Sequence, residues 1–470
     1  MFKNLRFQNF KSWKDTGDIE LAPITGFFGT NSSGKSTILQ FLLMLKQTVE
    51  SSDRKRVLYT GDDRSYVDLG TLYDIAYHHN IPSQIIFDIE WQLPYNNSFM
   101  DCTTIPGNLM IYRYDYLKFT ASIQLKYTDI FVNEFHYRIN NLIRRNSQTL
   151  SFGMKRNCPD SQKELHTSPH YELVTEGYNV QSKSESGLET FFEPLKSYGF
   201  PNQALLSFIN TDFLSDFTLA FEKAFQKIYY LGPLREYPKR FYSWAGERPQ
   251  DVGRRGELSI PALLASRNLE KIKSREEETE ISLEEKIAIW LKKLGLIDSF
   301  RVEPIAENRQ YYEVRVRRSP NSSEVLITEI GFGVSQILPV LVLCYYVPEG
   351  STIILEQPEI HLHPSIQAGL ADVFIDAIKT RDVQIILESH SEHLLRRLQR
   401  RVAEEKDGLT APDIQLYFCS SQENGDSQLR PLQIDRYGNI MNWPENFFGD
   451  KIGDFFAVTE AAMKRQMENE

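Results

Sequence analysis

Residues 29–37 read GTNSSGKST, the spacing GxxxxGK[ST]. Each residue type in that pattern has a task at a phosphate. Gly29 and Gly34 free the backbone so that consecutive N–H groups can curl around an anion, with Asn31, Ser32 and Ser33 completing the loop. Lys35 places an ammonium at the β and γ phosphates, Ser36 offers a hydroxyl to Mg²⁺, and Thr37 continues into the helix. FKNLRFQNF and DTGDIELAP before the loop carry strand signals, and TILQFLLMLKQTV after it a helical apolar stripe. The loop therefore opens onto a helix N-terminus, where the dipole favours negative charge.

A second stretch, TIILEQPEIHLHP at 352–364, runs apolar residues into an acid. Ile353, Ile354 and Leu355 suit a buried parallel strand, and Glu356 then stands at its carboxyl end, the edge where open α/β sheets bind ligands. Glu356 is expected beside the Mg²⁺ site. The next residue is Gln357, a neutral amide that can orient a water but cannot take its proton. Loss of a general base removes ~10²–10⁴ in rate. Three readings follow: slow hydrolysis with ATP held as a clamp, Glu359 reaching in from the turn, or Glu388 substituting. Glu388 lies two residues before His390, so on a strand both would face one way. His390 follows the strand VQIILES and is expected to sense a γ-phosphate. Four of the nine histidines fall within 361–393. Neither pair has the HExxH spacing and no cysteine is near, so Mg²⁺ is the expected metal.

These residues need elements to carry them. The chain has 470 residues, 41% hydrophobic and 25% charged, a globular composition with room for two or three domains. A net charge of −10 confines any nucleic-acid contact to local patches. Cys102, Cys158, Cys344 and Cys419 stand far apart without a CxxC pair, which fits a reducing cytoplasm. The start, MFKNLRFQNFKSW, alternates and is no secretory signal. The longest apolar run, ILPVLVLCYYV at 337–347, falls short of the ~20 residues that span a bilayer and reads as a buried helix. No membrane contact is expected.

The texture divides the chain. Residues 1–82 form the first part of a nucleotide domain. Residues 83–215 read as an inserted antiparallel β region, through ASIQLKYTD, VNEFHYRI, TLSFGMKR and HYELVTEGYNV. A helical region spans 216–305, interrupted by a Gly-, Pro- and Arg-rich loop containing YLGPLREYPKR. Alternating strands and helices return at 306–405 as the second part of the nucleotide domain, and 406–470 form a small C-terminal region.

LRFQNFKSW…IELAPITGFFGTNSSGKST, ILEQPEIHLHP and ILESHSEHLL resemble an ABC-type ATPase head. The resemblance is to the stand-alone kind akin to SMC and RecF heads and to the OLD ATPases. YLGPLREYPKR, DVGRRGE and IDRYGNIMNWPENFF are similar to ATPases of prokaryotic antiphage systems such as Septu and PARIS. The resemblance implies an α/β fold: a P-loop NTPase with a mixed sheet and parallel core, carrying the antiparallel and helical insertions. It makes residues 29–37 the Walker A loop, Glu356 the Walker B acid and His390 the switch histidine. IGFGVSQILPVL at 330–341 takes the place of the ABC signature, although it is not LSGGQ. Gly333 and Ser335 would there serve the nucleotide of a partner copy, so two chains would sandwich two ATP molecules.

The expected cofactors are thus ATP and Mg²⁺, and the expected assembly a homodimer or a higher oligomer of such dimers. The expected role is to assemble and regulate a separate nuclease or toxin chain in antiviral defence, with DNA or a phage protein as further partners. The alternative is a RecF-like ATPase of DNA repair or recombination, with Arg144, Arg145, Arg254, Arg255 and RRLQRR at 396–401 as its basic patches. A transporter subunit fits poorly, because the signature is not LSGGQ and an antiparallel region is inserted. The role of Arg235 in LGPLR stays open between a nucleotide contact, in cis or in trans, and a structural arginine, and Trp443 in NWPENFF reads most simply as a core or interface anchor.

Overall fold

Thr352–Glu356 and Gln384–Glu388 are short runs of β-prone residues, each buried along its whole length. They form the middle of a six-stranded sheet in a computed structural model of the chain. The structure describes residues 1–94, 98–101, 110–127, 129–141, 148–157, 170–183, 193–268, 271–273, 280–306, 309–444, 447–448, 457–459, 461–463 and 465. The strand order is Ile228–Leu231, Thr352–Glu356, Gln384–Glu388, Ile24–Gly29, Ile414–Ser421, Ser427–Leu432. The first five run parallel, and the last folds back as an antiparallel hairpin.

Alternation along the two middle strands divides their side chains between two cores. Ile354 and Ile386 join the core that holds the helix Lys35–Glu50. Ile353, Leu355, Ile385 and Leu387 join the core of the helices Gly333–Tyr346, Pro364–Arg381 and Glu392–Ala403. With a period of two, Glu356 and Glu388 at the strand ends fall on the Lys35–Glu50 side. The apolar run 337–347 lies in or just after Gly333–Tyr346 and is buried throughout. Among the described residues no helix is long and apolar enough to cross a membrane.

A second sheet of eight antiparallel strands covers the other side of Lys35–Glu50. Its order runs His170–Glu176, Gln148–Asn157, Asp129–Asn141, Tyr116–Lys126, Ser83–Gln92, Phe2–Phe10, Trp13–Asp15, with Ile19–Glu20 also on Phe2–Phe10. Phe41 of the helix stacks on Phe7 at 4.4 Å and meets Phe10 and Phe87 edge-on. The helix is sandwiched between two sheets, which is why 13 of its 16 residues are buried.

Three expectations about the division of the chain need correction. The strand of FKNLRFQNF lies in the antiparallel sheet, where it continues the inserted region. The sheet takes its edge strand, Ile228–Leu231, from the stretch expected to be helical, and an inner parallel strand, Ile414–Ser421, from the expected C-terminal region. The strands of YYEVRVRR and EVLITEI form a separate four-stranded antiparallel sheet with Ser299–Pro304 and Tyr242–Ser243. Periodicity marks where a strand occurs; the partner is chosen by packing hundreds of residues away.

Candidate functional site

Gly29 and Gly34 both have left-handed backbones, with φ of 140° and 86°. A Cβ on Gly29 would stand 2.0 Å from the carbonyl oxygen of Cys419, so only glycine lets the strand end that close to its neighbour. Gly34 precedes the helix Lys35–Glu50 without a side-chain cap, and no acid lies in the first turn. The opening N–H groups are thereby left for an anion rather than for the protein's own oxygens. Lys35 is 3% exposed, and its Nζ curls back over the loop to donate to the carbonyls of Thr30 at 2.6 Å and Gly29 at 3.3 Å. Burial lowers its pKa, and the neighbouring Glu388 opposes that shift.

A cavity of about 460 Å³ opens over this loop, lined by residues 31–37 with Ser12, Gln357, Glu388 and His390. Its acid is Glu388. Ser36 Oγ donates to Glu388 Oε2 at 2.6 Å, and Lys35 Nζ lies 3.9 Å from Glu388 Oε1. Burial raises the Glu388 pKa, and Ser36 and Lys35 hold it back. His390 Nε2 stands 4.0 Å from the same carboxylate. Its pKa is lowered by burial and by Lys35, which favours the neutral ring.

Gln357 adopts a left-handed φ of 44°, and its N–H donates to the carbonyl of Glu388 at 2.9 Å. Such backbone is costly for a residue with a side chain and tends to occur at functional sites. Here it brings Gln357 to the cavity wall.

Glu356 ends the buried parallel strand Thr352–Glu356, as expected. It does not line the cavity; its Oε1 accepts from the Tyr230 hydroxyl at 3.1 Å. Burial, and then the charge on Glu388, push its pKa up to about 7. Gln384–Glu388 lies between Thr352–Glu356 and the phosphate-loop strand, with Glu356 in register beside Glu388. Glu359 is also turned from the cavity, accepting the His390 N–H at 2.7 Å. Gly333 and Ser335 are not brought to the cavity either. Gly333 starts its helix and Ser335 Oγ donates to the Phe332 carbonyl at 2.7 Å.

Tyr230, Trp13 and Ser427 reach the site without any sign in the sequence, whereas the sequence itself singles out Arg235 and Trp443. Tyr230 holds Glu356 from the edge strand. Trp13 Nε1 donates to the Gly34 carbonyl at 3.1 Å, and Ser427 binds Ser12 through both its N–H and its hydroxyl. Arg235 is 5% exposed. Its Nη2 lies 3.5 Å from the Glu356 carbonyl, while Nε and Nη1 have no hydrogen-bond partner among the described residues. Burial pushes its pKa down to about 10. Trp443 anchors the tail, stacked under Arg396 and packed on Phe447, which in turn meets Phe28 of the phosphate-loop strand.

Oxygen donors suit Mg²⁺, and the closely spaced Ser36 hydroxyl and Glu388 carboxylate at the cavity wall fit that ion. Among the described residues no group of three or more His, Cys, Asp or Glu forms a metal cluster. His361 packs on Phe332, and His363 caps the helix Pro364–Arg381.

The family model described as AAA ATPase domain matches residues 1–216 and 256–395. A model described as a protein of unknown function (DUF3696) matches residues 409–457. No curated protein matches the chain. Similar solved structures include an SMC head bound to the C-winged helix domain of ScpA, at 11% identity over 93% of this chain and 98% of that one, with a TM-score of 0.42. An SMC head domain from Thermotoga maritima shares 10% identity over 92% of this chain and 99% of that one, with a TM-score of 0.38. A third, an Smc head with an extended coiled coil bound to the C-terminal domain of ScpA derived from Pyrococcus furiosus, shares 11% over 92% and 96%, with a TM-score of 0.39.

Proposed function

Because the chain belongs to the AAA ATPase domain family, we propose that it binds ATP with Mg²⁺ at residues 29–37, hydrolyses it slowly, and uses the bound state as a signal. The observation that carries this reading is one cavity lined by the phosphate loop, Glu388, His390 and a neutral Gln357. Lys35 and the uncapped helix start bind the triphosphate. Ser36 and an adjacent carboxylate hold the cation, which when bound neutralises charge on the phosphates and polarises them. Gln357 orients a water without deprotonating it, and His390 donates to or accepts from the γ-phosphate region. A site with orientation but no dedicated base turns over slowly.

The signal passes through a dimer in which each chain offers Gly333 and Ser335 to its partner's nucleotide. Supporting this, the start of the signature segment sits off its own cavity, with Gly331 and Phe332 exposed and Gly333 half-buried, while Ser335 lies buried just behind them. Phe332 packs on Tyr237, itself 72% exposed, and on His361, with exposed Leu234 and Phe241 on the same loop as Tyr237. Exposed aromatic groups of this kind suit a protein contact. The effector is a separate nuclease or toxin chain in antiviral defence. That part of the proposal rests on the resemblance of YLGPLREYPKR, DVGRRGE and the tail, whose residues meet the nucleotide core at Arg235 and Phe447.

The DNA-clamping alternative is less well supported. Arg397 and Arg401 pair with Asp372, Arg400 with Glu404, and Arg254 with the carbonyls of Asp63 and Ser65. Cations already engaged in this way are poorly placed to release counterions from DNA. Arg144 and Arg145 lie outside the described residues.

Equilibrium ATP binding, single-turnover hydrolysis and light scattering test the reading together. Native protein is expected to bind ATP, form ADP slowly and double in mass with ATP and Mg²⁺. Lys35→Ala is expected to lose all three. A native chain that turns ATP over rapidly as a monomer overturns the clamp.

A further inference from the structure

We propose that the chain carries a second binding site, separate from the nucleotide cavity, for an organic cation: an alkylammonium or guanidinium group held among Tyr66, Tyr229 and Tyr346 against Asp251.

The site is a cavity of about 800 Å³ at the far end of the phosphate-loop helix. Residues 35–37 at the start of Lys35–Glu50 line the nucleotide cavity, whereas Lys46 and Glu50 towards its end line this one. With 16 residues the helix is roughly 24 Å long, and the two cavities share no lining residue. Distant segments build the walls. Tyr229 comes from the edge strand Ile228–Leu231, and Tyr346 ends the helix Gly333–Tyr346. The loop that carries Asp251 is fastened on both sides. The Tyr346 hydroxyl donates to the Pro249 carbonyl at 2.7 Å, and Arg254 donates to the carbonyls of Asp63 and Ser65 beside Tyr66. The volume suits an organic molecule rather than a bare ion.

Charge decides the guest. The helices Lys35–Glu50, Phe213–Gln226 and Gly333–Tyr346 each put their last residue on the wall, and helix C-termini carry partial negative charge. Lys196 and Arg381 answer part of it, donating to the carbonyls of Val49, Ser51 and Val347. Glu50 and Asp251 add two carboxylates. The buried Lys46 Nζ pairs with Glu50 at 2.6 Å and stands 5.0 Å from the Tyr66 ring centre and 6.0 Å from that of Tyr229. These rings thus already face one ammonium. Asp251 is left over. One of its oxygens accepts the Gly253 N–H at 2.8 Å, and among the described residues it makes no ion pair. Burial raises its pKa, and Lys46, bound to Glu50, offsets that only in part. Arg248 also lines the cavity, but it is exposed beside the Tyr346 hydroxyl, where solvent screens it. An entering cation therefore meets ring faces and a carboxylate without a cation of its own. A free polyamine and an arginine or lysine side chain of a partner chain carry the same group.

Calorimetric titration with spermidine and, separately, with acetyl-arginine amide tests the site, in about 0.15 M salt to screen exposed acids. No nucleotide is present, so the outcome is independent of the ATP reading. Native protein is expected to bind at least one probe saturably, one to one. Asp251→Asn, near-isosteric and still able to accept from Gly253, should weaken that binding at least about tenfold. Tyr229→Leu should weaken it about threefold, and Tyr229→Phe should stay near native because the ring remains. Tighter binding of spermidine identifies a free polyamine as the guest, and tighter binding of the arginine probe a partner's side chain; either supports the site. Native protein that binds neither probe more tightly than about 1 mM overturns it. So does an Asp251→Asn variant that binds like native, since the attraction is then only to the net charge of −10. Binding of inorganic phosphate that Arg248→Gln abolishes, with neither cation bound, overturns it in favour of an anion site.

Discussion

At residue scale, the slow turnover proposed above turns on a single atom type at position 357. A carboxylate there would accept the proton of an attacking water; the amide of Gln357 cannot. Its left-handed backbone and its bond to the Glu388 carbonyl fix where that amide stands. Gln357→Glu is therefore expected to raise single-turnover hydrolysis about 100-fold with little change in ATP affinity. Radiolabelled ADP formation measures it. An unchanged rate would mean that position 357 does not face the water. The motif residues at this scale were legible in advance, because GxxxxGK[ST] is local: nine consecutive residues carry loop, cation and hydroxyl together. Tyr230, Trp13 and Ser427 were not, since nothing in their own neighbourhoods marks them. Gln357 was legible as an absence of base, but its strained backbone was not.

At the scale of elements, two adjacent parallel strands end in acids in register, Glu356 beside Glu388. Burial raises both pKa values and that of Glu359, and Glu356 reaches about 7. In the unfolded chain these groups ionise near 4.5, so between that pH and about 7 the folded, nucleotide-free protein binds more protons than the unfolded one. Stability then falls as pH rises through this window. His136 and His390, whose pKa values burial lowers, act in the opposite direction in this window, so the expectation is comparative: the melting temperature of native protein falls further, or rises less, from about pH 5 to about pH 7.5 than that of Glu356→Gln. Differential scanning calorimetry without nucleotide or metal checks both. Parallel profiles for native protein and Glu356→Gln would mean that this strand end is better solvated than its burial indicates. The helix Lys35–Glu50 shows the complementary effect: its open N-terminus is tolerable because its remaining length is buried between two sheets.

At the scale of the whole molecule, the parallel sheet gathers strands from residues 24–29, 228–231, 352–356, 384–388 and 414–421. No contiguous stretch contains the site. A chain ending at residue 405 lacks the strand that flanks the phosphate loop on one side, leaving Ile24–Gly29 unpaired at an apolar edge. Such a truncation is expected to be insoluble or molten, with lost near-ultraviolet dichroism and no ATP binding. A truncated protein that melts cooperatively and binds ATP would show that the hairpin 414–432 is an accessory. The sequence by itself determined the phosphate loop, the helix after it, the two buried middle strands, the antiparallel texture of the inserted region and the missing acid at 357. All of these are written in spacings of a few residues, through glycine freedom, periodicity and charge. Only the tertiary structure decided that Glu388 rather than Glu356 adjoins Ser36, that Tyr230 and Arg235 lie behind Glu356, and that Ile228–Leu231 and Ile414–Ser421 close the sheet. Strand order is a choice among long-range pairings made by burying shared apolar faces, and local spacing carries no record of which neighbour wins.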